Sequence, residues 1–84
     1  MGFSETVSKT DIQNQIRRLR FEHNEMTQLE LAQRAGVTRQ TIIAIEAGKY
    51  TPSLSLAFRI ARSFDLSVEE VFQYHGNGKV QGAD

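Results

Sequence analysis

Cysteine is absent from this 84-residue sequence, and histidine occurs only at positions 23 and 75. Without cysteine the chain has neither a disulfide framework nor a thiolate metal site. His23 and His75 lack the spacing of metal ligands, so we expect no metal and no other cofactor. No apolar run approaches the ~18 residues of a membrane-spanning helix, and no signal peptide is visible. These absences predict a soluble cytoplasmic protein without a membrane partner.

A net charge of one sign is also missing, because ten basic residues balance ten acidic ones. The balance is uneven along the chain. Residues 28–62 contain five basic residues against two acidic ones, a local charge of +3, so the remaining residues carry −3. A positive face on a neutral protein is therefore expected, and nucleic acid stays among the candidate partners.

Helix signals dominate the chain, whereas strand alternation is absent, so the predicted fold class is all-α with five helices. The expected helices span residues 11–23, 28–35, 39–47, 54–64 and 68–74. Each follows a candidate N-cap, namely Thr10, Thr27, Thr38, Ser53 and Ser67. We expect one domain over residues 10–75, between a flexible arm at 1–9 and a flexible tail at 76–84. The five helices leave no room for an effector domain.

The second and third helices have the spacing of a helix-turn-helix. Ala32 supplies a small residue where two helices cross closely, and Gly36 permits the sharp turn between them. Apolar residues at the expected positions attach the pair to the other helices: Leu31, Ala35, Val37, Ile42 and Ile45. Seven positions of constrained type coincide, which makes the motif specific.

The third helix, 39–47, is interpreted as the recognition helix. If Ile42 and Ile45 point inward, its outer face carries Thr38, Arg39, Gln40, Ile43 and Ala44. The N-terminal end of such a helix enters the major groove, where Arg pairs with guanine and Gln with adenine. Apolar side chains suit thymine methyl groups. The alternative is that the polar pair is ordinary surface and that Ile43 packs on a neighbour.

Further residues are candidates for phosphate contacts, orientation and assembly. The second helix starts at Gln28, and Thr41, Lys49 and Tyr50 add possible phosphate contacts, although Lys49 near a helix C-terminus also suits a structural role. Arg20 and Glu46 are expected at the contact between the first and third helices. They form either an ion pair that orients the recognition helix or two separate solvated charges.

The C-terminal end is expected to form a homodimer surface. The candidate residues are Val71, Phe72 and Tyr74, with Phe58 bordering them. A short fifth helix cannot bury all of these side chains against one small core, and aromatic residues are enriched at interfaces. The alternative for Phe72 is packing in the core of the monomer.

Residues 12–73 resemble the Xre/Cro/C1-type regulators with the lambda-repressor-like fold. The carrying stretches are "IRRLR", "MTQLELAQRAGVTRQTIIAIEAGKYTPSL" and "AFRIARSFDLSVEEVF". The resemblance implies a repressor that binds a near-palindromic operator in double-stranded DNA as a homodimer. It also implies a phosphate contact at Gln28, base contacts at residues 38–40 and 44, and a pair between Arg20 and Glu46. The stretch "FEHNEMTQ" has one residue more than the common family form, so a different turn is expected there.

Two other functions remain open at this point. A DNA-binding antitoxin would also bind a small protein, its toxin. A protein-interaction adaptor would use the same fold without DNA; the zero net charge favours it, whereas Arg39, Gln40 and the local charge of +3 oppose it. We do not expect an enzyme, because the sequence shows no nucleophile–base constellation and Glu69 and Glu70 are explained by helix capping.

Overall fold

The computed structural model describes residues 11–74, which form five helices and two short strands. These are β1 (Ile12–Asn14), α1 (Ile16–Glu22), α2 (Gln28–Ala35), α3 (Arg39–Glu46), α4 (Leu54–Ser63), α5 (Val68–Val71) and β2 (Phe72–Tyr74). The arm expected at 1–9, the tail expected at 76–84 and the expected cap Thr10 lie outside the described residues. Within residues 11–74, no helix is long and apolar enough to cross a membrane.

The two ends of the domain differ from the predicted all-α fold. β1 and β2 form an antiparallel ladder in which Ile12 lies opposite Tyr74 and Asn14 opposite Phe72. The first helix therefore begins at Ile16 rather than at residue 11, and the fifth ends at Val71 rather than at residue 74. The strictly all-α prediction was wrong because these distant segments satisfy each other's backbone hydrogen bonds.

The other four helices begin at the residues that the sequence predicted. The side chains of Thr27, Thr38, Ser53 and Ser67 each accept the backbone N–H three residues further on. The capping boxes completed by Glu30 and Glu70 are both formed. At the other end of α2, Gly36 has the left-handed φ of 76° that ends a helix sharply. α3 and α4 each end one residue earlier than predicted.

The N-cap of α1 is Gln15 rather than the expected Thr10, and its side chain makes no capping bond. The preceding Asn14 contacts the start of the helix instead. Its Oδ1 accepts the N–H of Ile16 at 3.1 Å, and its Nδ2 donates to the carbonyl of Ile45 at 2.9 Å. The N–H of the next residue, Gln15, donates to the carbonyl of Val71. These bonds attach β1 to the C-terminal end of α3 and to α5.

The connection from α1 to α2 turns through two residues in the left-handed region, Asn24 with φ 60° and Glu25 with φ 54°. The chain then folds back, and the N–H of Met26 donates to the carbonyl of Arg20 at 2.8 Å. This turn lies within "FEHNEMTQ" and directs Met26 into the core, where it is buried.

The core consists of apolar side chains from all five helices. The largest fully buried side chains are Phe64, Ile16, Leu31, Ile42, Ile45, Ile60 and Val71. Ala32 is also completely buried, and α2 contacts both α3 and α4. A small side chain at this position allows the close approach of helices that the sequence predicted.

Candidate nucleic-acid interface

The turn between α2 and α3 holds the two helices at a fixed angle. After Gly36, the N–H of Val37 donates to the carbonyl of Ala32 at 2.9 Å, and the Val37 side chain packs on the core. Thr38 then caps α3 by accepting the N–H of Thr41 at 3.2 Å. The first turn of α3 therefore starts in a defined position on the surface.

The outer face of α3 presents the predicted base-reading residues. Ile42 and Ile45 are buried, as predicted. Thr38, Arg39 and Gln40 are exposed, whereas Ile43 and Ala44 are partly buried. Within residues 11–74, Arg39 and Gln40 form no side-chain hydrogen bond or ion pair, so their donors face solvent.

The predicted phosphate contacts lie at the start of α2, in α3 and in the loop after α3. Gln28 is partly buried at the start of α2, whereas Lys49 and Tyr50 are exposed in the loop after α3. The Thr41 hydroxyl lies 3.1 Å from that of Thr38. The loop turns at Gly48, whose φ is +75°, and the N–H of Lys49 donates back to the carbonyl of Ala44. Its position relative to α3 is therefore defined.

Arg20 and Glu46 form an ion pair between α1 and α3 rather than two separate charges. The Arg20 Nε lies 2.6 Å from Glu46 Oε2, and Nη2 donates to Oε1 at 3.3 Å. The side chains are only 16% and 11% exposed. The two-pronged contact matches the planar guanidinium fork to the carboxylate and so restricts the rotation of α3 relative to α1.

Gln28 belongs to the same network, a role that was not predicted from the sequence. Its Nε2 donates to Glu46 Oε1 at 3.1 Å, while Arg20 Nη1 donates to the carbonyl of Met26 at 2.9 Å. One carboxylate therefore joins α1, α2 and α3. An amide has two N–H donors, so one donor of Gln28 remains for another acceptor.

The residues expected at a dimer surface are not all exposed. Val71 is completely buried, so its assignment to that surface was wrong: α5 turns this side chain into the core before the backbone becomes β2. Phe72 is partly buried and packs on the core. Tyr74 and Phe58 are 56% and 52% exposed. Leu54, which was not predicted at this surface, is 71% exposed one helical turn before Phe58.

Comparison with known proteins agrees with this architecture. A family model described as Helix-turn-helix matches residues 16–71. An uncharacterized HTH-type transcriptional regulator of Methanocaldococcus jannaschii is 52% identical over 63 residues, which cover 75% of this chain and 94% of that protein. A regulator of Archaeoglobus fulgidus with the same description is 49% identical over 61 residues, covering 73% of this chain and 84% of the relative.

A bacterial protein is also similar to this chain in sequence. The uncharacterized HTH-type transcriptional regulator YgzD of Bacillus subtilis is 43% identical over 61 residues, covering 73% of this chain and 91% of its own length. Residues 16–71, which the family model matches, contain both helices of the motif and the Arg20–Glu46 network. The chain therefore belongs to the helix-turn-helix family of the Xre and lambda-repressor type.

Proposed function

We propose that this protein is a sequence-specific DNA-binding transcriptional regulator that acts as a repressor. The observation that carries the proposal is the first turn of α3. There, the side chains of Arg39 and Gln40, which have no partner within residues 11–74, project from a helix that the network of Arg20, Glu46 and Gln28 orients. The relatives described as HTH-type transcriptional regulators support this function.

Base reading is assigned to the outer face of α3. Arg39 has the fork of donors that pairs with guanine O6 and N7, and Gln40 has the donor and acceptor that pair with adenine N6 and N7. Ile43 and Ala44 offer apolar contact to thymine methyl groups. The Thr38 hydroxyl accepts the cap bond and lies 3.1 Å from the Thr41 hydroxyl. When Thr41 donates in that contact, Thr38 keeps its own proton for donation to a base or a phosphate.

Phosphate contacts are assigned to the two edges of the recognition helix. At one edge, Gln28 uses its remaining amide donor. At the other, Thr41 and the exposed Lys49 and Tyr50 face the backbone. Such contacts determine where the helix sits in the groove without reading the sequence. Because Gln28 also binds Glu46, its phosphate contact would be rigidly connected to α3.

A homodimer completes the proposal. Two recognition helices related by a dyad and about 34–36 Å apart would occupy successive major grooves of a near-palindromic operator. The exposed Phe58 of α4 and Tyr74 of β2 are proposed interface residues, together with the partly buried Phe72 at the start of β2. Occupancy of an operator by such a dimer would exclude RNA polymerase.

Selection of bound sequences from a random duplex pool tests the proposal directly. The selected duplex is then titrated with the wild type, Arg39→Ala and Gln28→Ala. Arg39→Ala should lose about 1–3 kcal/mol of specific binding and relax the preference at one position of each half-site. Gln28→Ala should weaken binding to selected and scrambled duplexes alike.

The matched control is Arg34→Ala, which removes an exposed arginine from the last turn of α2. It changes the net charge as Arg39→Ala does and should leave the base preference intact. Failure of the wild type to select any duplex sequence would contradict the proposed function. Unchanged preference in Arg39→Ala would remove Arg39 from the base-reading set.

A further inference from the structure

Arg17 is an exposed cation on the first turn of α1 for which neither the motif nor the core provides a role. Within residues 11–74 it forms no ion pair and no side-chain hydrogen bond. Its neighbours differ in this respect: Arg18 pairs with Glu22 at 3.0 Å, and Arg20 pairs with Glu46. Of the three arginines of α1, Arg17 is therefore the one whose guanidinium is unpaired among the described residues.

Arg17 lines an open cleft of about 490 Å³ between α1, α2 and α3. Gln28 and Arg39, the proposed phosphate and base contacts, line the same cleft. Two carboxylates line the cleft. Glu46 is already paired with Arg20, so only the negative charge of Glu25 opposes the positive charges of Arg17 and Arg39. The uncompensated charge of the cleft is therefore positive.

We propose that Arg17 binds a DNA backbone phosphate at this cleft and thereby adds α1 to the DNA-binding surface. The inference rests on the proposed function. A backbone contacted by Gln28, with Arg39 in the adjacent groove, would run past the cleft that these residues share with Arg17. An unpaired guanidinium matches two phosphate oxygens with a pair of charge-assisted hydrogen bonds. The contact holds the protein on the duplex and reads no base.

The salt dependence of binding gives a signature that a structural role would not produce. Each phosphate neutralised by a cationic side chain releases counterions and steepens the plot of log affinity against log salt by about 0.9. Loss of the Arg17 contact should lower that slope by about one and weaken binding to every duplex. Because Arg17 is exposed and has no partner in the described part of the chain, its removal should not change the melting temperature.

The experiment titrates the full chain with its selected duplex and with a scrambled duplex between 50 and about 200 mM salt, the range over which phosphate contacts dominate affinity. Arg17→Ala should lose affinity equally for both duplexes, with the reduced slope. Arg17→Lys should keep the slope, because lysine also neutralises a phosphate as a point charge. Arg34→Ala removes an arginine that has no ion pair within residues 11–74 and does not line this cleft, so it should keep the slope of the wild type.

Two results would overturn the inference while leaving the proposed function intact. One is a slope and affinity for Arg17→Ala equal to those of the wild type. The other is a loss confined to the selected duplex, which would make Arg17 a base contact. Failure of the proposed function would look different, because the wild type itself would then show no binding to duplex DNA before any variant is compared.

Discussion

The helix-turn-helix and the two ends of the domain are built by different kinds of interaction. In residues 27–47, each helix boundary depends on hydrogen bonds between residues about one turn apart, such as Thr27 with Glu30. In β1 and β2, the structure depends on residues far apart in sequence, such as Asn14 opposite Phe72. The first region is visible in a short stretch of sequence, whereas the second requires both ends to be considered together.

The ends show how a distant partner overrides a local pattern. Residues 12–19 carry apolar side chains at helical spacing, and yet residues 12–14 are extended. The extended form is favoured because β2 supplies partners: besides the ladder, Gln15 Nε2 donates to Gln73 Oε1 at 3.1 Å. Ile12 and Phe72 lie beside Tyr50 of the loop after α3, so the sheet also supports that loop.

The largest expected effect tests the contacts through which Glu46 of α3 binds Arg20 of α1 and Gln28 of α2. Glu46→Ala removes the acceptor of both Arg20 and Gln28 and leaves a poorly exposed guanidinium without its carboxylate. We expect a loss of about 3 kcal/mol in the free energy of unfolding, measured by urea titration.

The control for this variant is Glu22→Ala, which breaks the exposed pair with Arg18 on the same first helix. An exposed pair of this kind contributes no more than about 0.5 kcal/mol. Equal losses in the two variants would contradict the claim that Glu46 joins three helices.

The next effect tests the crossing of α2 and α3. Ala32→Leu adds three carbon atoms to a completely buried position, and overpacking of this kind costs about 1–3 kcal/mol. Thermal unfolding should show a lowered melting temperature. Ala47→Leu, at the exposed residue after α3, should not change it. A melting temperature unchanged in Ala32→Leu would mean that the helices do not approach closely there.

A smaller effect tests whether residues 12–14 are extended, as observed, or helical, as the sequence predicted. Asn14→Ala removes the acceptor for Ile16 N–H and the donor to the Ile45 carbonyl, at an expected cost of about 1–2 kcal/mol. Gln13→Ala, at the exposed neighbouring strand position, should cost much less. Chemical denaturation of both variants makes the comparison, and similar losses would argue against the role of Asn14.

The smallest effect on folding is expected at Tyr74, where the consequence should be on assembly. Tyr74→Ala removes an exposed ring from β2 and should change the stability of the monomer by less than about 0.5 kcal/mol. Sedimentation with and without duplex DNA should show a weakened dimer. A wild type that stays monomeric and binds DNA with one-to-one stoichiometry would contradict the proposed assembly.

Much of the fold and of the candidate interface was predictable from local sequence. The caps at Thr27, Thr38, Ser53 and Ser67 were correct because a side chain and the N–H three residues later meet in any helix start. The inward positions of α3 were correct because helical periodicity separates its two faces. The pair between Arg20 and Glu46 was predicted as one of two alternatives, and the structure selects the paired one.

What the sequence by itself determined is therefore the helix-turn-helix with its exposed Arg39 and Gln40, since its signals act within a single turn of helix. Only the tertiary structure decided the strand pairing of residues 12–14, the burial of Val71 and the place of Gln28 in the network around Glu46. It also left Arg17 beside the cleft without a partner among residues 11–74. Each of these depends on groups that lie many residues apart and meet only after the helices have packed.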